Sequence, residues 1–128
     1  MENAERKRIP FAVWEVEGTE YKLKLSTSQI IKLEDKYKIN LLTIITSGDI
    51  PPLKIMLEIL HASMLKFNHS IKYETVCDMF DVYVEEGGSQ VEFFTNVLMP
   101  VFSASGFFTP AQSTAMEKNI EEAKEQLQ

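Results

Sequence analysis

The sequence predicts an α+β fold that is mainly helical: an N-terminal β-hairpin packed with about five to six helices around one central apolar helix. Three observations lead there. Phe11 to Leu25 is the one segment in which apolar and polar residues alternate with the period of two expected of strands. The segments after it carry helix start and stop signals. The run Leu53 to Leu65, LKIMLEILHASML, is interrupted only by Lys54, Glu58, His61 and Ser63. A helix apolar on most sides is a core helix, and this one is too short to span a bilayer, which takes roughly 20 apolar residues. Other segments must therefore wrap it.

Three regions follow from this pattern: a flexible polar leader over 1–10, a single globular domain over 11–108, and a polar C-terminal helix over 109–128, docked in cis or mobile. The leader has charges but no apolar stretch of the kind that makes a signal peptide. In the hairpin, Gly18-Thr19 suits a type II′ turn with glycine first. That register sets Val16 opposite Tyr21, Trp14 opposite Leu23, Ala12 opposite Leu25, and Glu15 opposite Lys22 on the outer face. A turn centred on Glu17-Gly18 would need Glu17 at positive φ and would place Glu15 opposite Glu20, so the first register is preferred. An isolated hairpin is marginal in water, so its apolar face must lie on the helices or on a sheet edge of another subunit.

Helices account for the rest. Ser26 with Gln29 reads as a capping box, after which Ile30, Leu33 and Tyr37 form a stripe as far as Asn40. Leu41 to Ser47 is a short apolar helix stopped by Gly48. Pro51 and Pro52 start the central helix, and Asn68 sits where a left-handed stop is expected. Ser70 is the expected cap of a helix carrying Tyr73, Val76, Cys77, Phe80, Tyr83 and Val84 on one side, ended by Gly87-Gly88. Ser89 with Glu92 opens another, in which Pro100 should produce a kink, because it lacks a donor and clashes with the carbonyl of Asn96. Gly106 stops it, and Thr109-Pro110 with Gln112 starts the last helix.

Composition narrows the function classes. The chain has 128 residues, 45% of them hydrophobic and 25% charged, with a net charge of −6, which is the balance of one soluble globular domain. An acidic chain argues against nucleic acid as the main partner, since phosphate binding needs clustered Lys and Arg. Its one basic cluster, Arg6-Lys7-Arg8, lies in the leader and is expected to be solvated. Cys77 is the only cysteine, so no internal disulfide forms and a reducing cytoplasm is the expected setting. No phosphate loop, nucleophile elbow, zinc-protease helix or cofactor-binding motif is present. A nucleophile or metal site would have to use Cys77 with His61 or His69, at spacings that match no ligand pattern. Cys77 lies mid-helix, where thiols pack rather than react, and His61 reads as a satisfied, partly buried histidine.

What remains is apolar surface. Phe93, Phe94, Val97, Leu98, Val101, Phe102, Phe107 and Phe108 crowd one segment. The stripe Phe94, Val97, Leu98 and Val101 can reach a core, whereas Phe93 and Phe102, or the pair Phe107-Phe108, are in surplus. The last helix carries only a narrow stripe of Met116, Ile120, Ala123 and Leu127 on a surface rich in Glu, Lys and Gln. Phe107, Phe108, Met116 and Ile120 are therefore the candidate partner-binding residues, placed at a hinge between an apolar and a polar helix.

The order of elements resembles a known family. A hairpin "VEGTEYKLKLS" leads into a helix "SQIIKLEDKYKINLLTII". A proline-started apolar helix follows, then "SIKYETVCDMFDVYVEEGG" and "VEFFTNVLMPVFSASGFF". Over about residues 11–108 this is similar to the small tail assembly chaperones of long-tailed phages and prophages and to related gene-transfer-agent proteins. The resemblance implies a mostly helical, non-enzymatic, cofactor-free protein. Such a protein coats the tape measure protein, or a similar long helical client, during tail morphogenesis in the bacterial cytoplasm. It also implies self-association, no membrane, and correspondence to the short form of a family that often also makes a frameshifted longer one. The family offers no motif residues to transfer as a site. The alternative is a small intracellular enzyme or metal-binding protein using Cys77 with His61 or His69.

Overall fold

The computed structural model describes residues 8–115, 118 and 122. Strands β1 (Ala12–Val16) and β2 (Thr19–Leu23) form an antiparallel hairpin. Helices α1 (Thr27–Tyr37), α2 (Leu41–Thr46), α3 (Leu53–Met64) and α4 (Tyr73–Glu85) follow. The next helical stretch is composite: α5 (Gln90–Phe93), a π-helical turn (Phe94–Leu98) and α6 (Met99–Ala104). Residues 110–115 are again helical. The architecture is the mainly helical α+β fold that the sequence predicts.

Helix α3 is the central element. Met56, Leu57, Ile59, Leu60, Ala62, Ser63 and Met64 are all buried along it. Residues at nearly every angle around the helix axis are covered, so neighbours enclose it as its composition demands. The hairpin packs against α3, α4, the π turn and α6. Ala12, Trp14 and Val16 face inward while Val13 and Glu15 face out. Trp14 is 2% exposed and meets Tyr83 and Phe93 edge-on at ring separations of 5.7 and 5.6 Å. Phe80 joins the same cluster, 5.2 Å from Phe93. Edge-on packing sets positive ring edges against negative faces, adding directional attraction to burial.

Three hydrogen bonds fasten the hairpin to the helices. Lys24 N–H donates to the Ser63 carbonyl (3.0 Å), Leu25 N–H to Ser105 Oγ (2.9 Å), and Glu17 N–H to Glu86 Oε1 (3.2 Å). The first satisfies a carbonyl in the last turn of α3, where the helix itself supplies no donor.

Several local expectations are corrected. The turn is Glu17-Gly18, with φ of +52° and +79°, and it pairs Trp14 with Tyr21, Ala12 with Leu23 and Glu15 with Glu20. Two left-handed central residues make a type I′ turn, whose twist matches that of the strands. The two registers differ by two residues, so both keep the apolar side chains on one face, and alternation alone could not separate them. Asn68 is not left-handed; α3 ends through Leu65 in the right-handed region, and the Met64 carbonyl accepts from both Phe67 and Asn68. Helix α1 stops at Tyr37 with Lys38 left-handed (φ +58°), and Asn40 instead caps α2, accepting from Leu42 N–H at 2.9 Å. Helix α4 starts at Tyr73 after Lys72, without a side-chain cap from Ser70.

The expected caps at Ser26 and Ser89 form, accepting from Gln29 N–H (3.3 Å) and Glu92 N–H (3.1 Å). Pro100 interrupts its helix through the π turn, in which Met99 N–H donates to the Phe94 carbonyl. The wider turn brings residues five apart onto one face, aligning Phe93 with Leu98. Phe93 and Phe102 are consequently fully buried beside Val97, Leu98 and Val101, which reach the core as expected, whereas Phe94 is only half-buried.

Candidate functional site

The joint after α6 is built from both ends of the chain. Ser105 N–H donates to the Val101 and Phe102 carbonyls as the helix closes, and Phe107 N–H returns to the Phe102 carbonyl at 3.2 Å. The Phe107 ring stands edge-on to Phe102 at 5.0 Å. Phe107 and Phe108 are both half-buried against the core. Arg8 Nη1 donates to the Ser103 carbonyl (3.1 Å) and to the Phe108 carbonyl. Arg8 is exposed, as expected of the leader, and is also bonded across the joint. A contact spanning about a hundred positions leaves no local trace in sequence, which is why pattern reading missed it.

A new helix begins immediately beyond the phenylalanines. Thr109 N–H donates to Gln112 Oε1 at 2.8 Å, and Gln112 N–H donates to Thr109 Oγ1 at 3.2 Å. This reciprocal box satisfies two amides at the helix start without help from the rest of the fold. Of the four candidate partner-binding residues, Phe107 and Phe108 stand side by side at the joint. Met116 and Ile120 lie outside the described residues.

A second apolar surface lies between α2 and the start of α3. Ile39, Leu42 and Ile50 are exposed large aliphatic residues. Ile39, Ile44, Ile50, Pro51, Pro52 and Ile55 line a groove of about 260 Å³ there. Of the aliphatic residues in Leu41–Ile45 only Leu42 is left exposed; the surface rests mainly on Ile39 and Ile50 in the flanking loops, where no periodic pattern marks it.

The histidines and Cys77 do not converge. His61 is half-buried, its Nε2 is 2.8 Å from the Ile71 carbonyl, and its ring meets Tyr73 edge-on at 6.1 Å. Tyr73 lies one helical turn before Cys77 on α4. Burial first, then the neighbouring Cys77 side chain and the nearby charge of Glu58, raise the Tyr73 hydroxyl above the usual tyrosine range. His69 is exposed in the turn after α3. Among the described residues, no group of three or more His, Cys, Asp or Glu side chains is placed to hold a metal ion. Glu58, one turn before His61, pairs with Lys36 of α1 at 2.7 Å and ties α1 to α3. No helix among the described residues is long and apolar enough to cross a membrane.

Comparison with known proteins places the chain at the level of family. The family model described as "Family of unknown function (DUF6096)" matches residues 12–128, from the first strand to the C-terminus. No curated protein and no solved structure matches the chain. The matched span covers the hairpin, the enclosed helix α3 and the joint at Phe107-Phe108 together, and the chain belongs to DUF6096.

Proposed function

We propose that this protein is a non-catalytic tail assembly chaperone that binds the tape measure protein, or a similarly long helical client, during phage or prophage tail morphogenesis. One observation carries the reading. A helix with its own complete N-terminal box is joined to a closed core through two half-buried phenylalanines. A short polar helix gains little by forming alone and needs an apolar stripe docked somewhere. Phe107 and Phe108 supply apolar contact at the point where the polar helix begins, and Met116 and Ile120 follow them in the sequence. Such a contact can be exchanged between the chaperone's own surface and a client helix, which allows a client to be held and then released. The resemblance of the sequence over about residues 11–108 to the small tail chaperones supports the choice of client.

Co-expression with a tape measure protein tests the proposal. The full chain should keep the client soluble and co-purify with it, and Phe107→Ser with Phe108→Ser should lose the client while remaining folded. A client that stays insoluble and unbound beside the wild-type chain would contradict it.

A further inference from the structure

The outer edge of β2 is an open hydrogen-bonding edge. Val16 and Thr19 flank the two-residue turn and therefore form a hydrogen-bonded pair. Alternation makes Trp14·Tyr21 and Ala12·Leu23 hydrogen-bonded pairs as well, and leaves Glu15·Glu20 and Val13·Lys22 as the other kind. The main-chain N–H and C=O of Glu20 and Lys22 consequently point away from β1. The next outward amide, at Lys24, is already used by the Ser63 carbonyl. Among the described residues, no hydrogen bond is made by the Glu20 or Lys22 main-chain groups on that edge. A groove of about 250 Å³ lies beside them, lined by Glu20, Tyr21, Lys22, Met64, Phe67 and Asn68. Edges of this kind invite another strand.

The charges on the edge select the strand. Glu20 and Lys22 are exposed on the same face, opposite in sign, one on each side of Tyr21. Lys22 is held on that face, its Nζ 4.9 Å from the centre of the Phe11 ring and 6.0 Å from that of Phe67. A strand with this pattern is complementary to itself when turned about its centre.

We propose that β2 pairs antiparallel with β2 of a second copy, about a two-fold axis through Tyr21, to make a continuous sheet across a homodimer. In that register Glu20 lies opposite the partner's Lys22, and Lys22 opposite the partner's Glu20. All the outward main-chain groups of these two residues gain partners. The half-buried Tyr21 faces the partner's Tyr21 in the closer, non-hydrogen-bonded spacing. Registers shifted by two place Lys22 against the partner's Lys22, or Glu20 against the partner's Glu20, and like charges directly opposite are unfavourable. The other edge offers no such match: β1 carries Glu15 there, and the Glu17 amide is engaged by Glu86. This inference stands independently of the client.

Sedimentation equilibrium of the full chain over a range of concentrations tests it. The wild type should be a dimer. Glu20→Lys and Lys22→Glu, each converting attraction to repulsion at both symmetric pairs, should weaken association by on the order of tenfold or more. The double variant, with the charges exchanged, should return towards wild-type affinity. A monomeric wild type, a dimer indifferent to both single reversals, or a double variant as weak as the singles would overturn the proposal. Where a reversal prevents folding, hydrogen exchange on the wild type decides. The Glu20 and Lys22 amides should be protected at high protein concentration and exchange freely on dilution; concentration-independent exchange at both would overturn it.

Discussion

Tyr83 lies directly over Gly88. A β-carbon at position 88 would fall 2.4 Å from two ring carbons of Tyr83. The ring cannot easily give way, because Trp14, Phe80 and Phe93 hold it at 5.7, 5.7 and 5.8 Å. The glycine after α4 thus lets the chain turn closely around the aromatic cluster that joins the hairpin to the helices. Gly88→Ala should destabilise the protein by about 1–3 kcal/mol, the usual cost of overpacking. Urea unfolding measures it, and a midpoint equal to that of the wild type would show that Tyr83 is free to move.

The type I′ turn makes the opposite prediction for Glu17. This residue holds φ at +52°, a region that favours asparagine and glycine over glutamate. Its hydrogen bond to Glu86 uses the main-chain N–H and survives substitution. Glu17→Asn should therefore stabilise the chain by up to about 1 kcal/mol, with an Asn-Gly turn in place of Glu-Gly. A destabilised variant in thermal unfolding would argue that the turn takes another form.

Leu60 is completely buried at the centre of α3. Leu60→Ala should cost about 2–5 kcal/mol in chemical denaturation, the range for a core leucine. A loss below about half a kcal/mol, well under that range, would remove α3 from its central role.

Burial, and after it the negative charge of Glu92, raise the Tyr83 hydroxyl above its ordinary value of 10.0, against a lowering backbone hydrogen bond at Ser89. Folding therefore favours the protonated phenol. Its contribution is fully present below the ordinary tyrosine pKa and is lost as pH rises through the raised folded value, because the unfolded chain gives up its proton first. Tyr83→Phe removes this dependence. The Tm difference between variant and wild type should move in favour of the variant as pH rises above about 10. A difference that stays constant across that range would contradict the assignment.

The elements that were legible in sequence are those set by local chemistry. Period-two alternation revealed the hairpin. Serine caps three residues ahead of Gln29 and Glu92 marked two helix starts, and Thr109 with Gln112 marked a third. The composition of Leu53–Leu65 identified the enclosed helix. What was illegible depended on choices that local pattern leaves equal, or on distant partners. A register slip of two residues keeps Trp14, Tyr21 and Leu23 on one face, so only the turn's twist decides it. Pro100 announced an interruption, but not that a π turn would carry Phe93 and Phe102 into the core. At the candidate site, the pairing of Phe107 with Phe108 was visible as adjacent aromatics beside a glycine. The anchoring of that joint by Arg8 was not, because its partners lie at the far end of the chain.

Hydrogen exchange of the full chain, free and bound to a tape measure protein, tests the account most directly. Residues Phe107 to Ala115 should exchange faster in the free protein and gain protection in the complex, since client contact falls on the joint and the helix it introduces. A complex in which this stretch exchanges as in the free protein, with new protection confined to the groove around Ile39, Ile50 and Ile55, would contradict it.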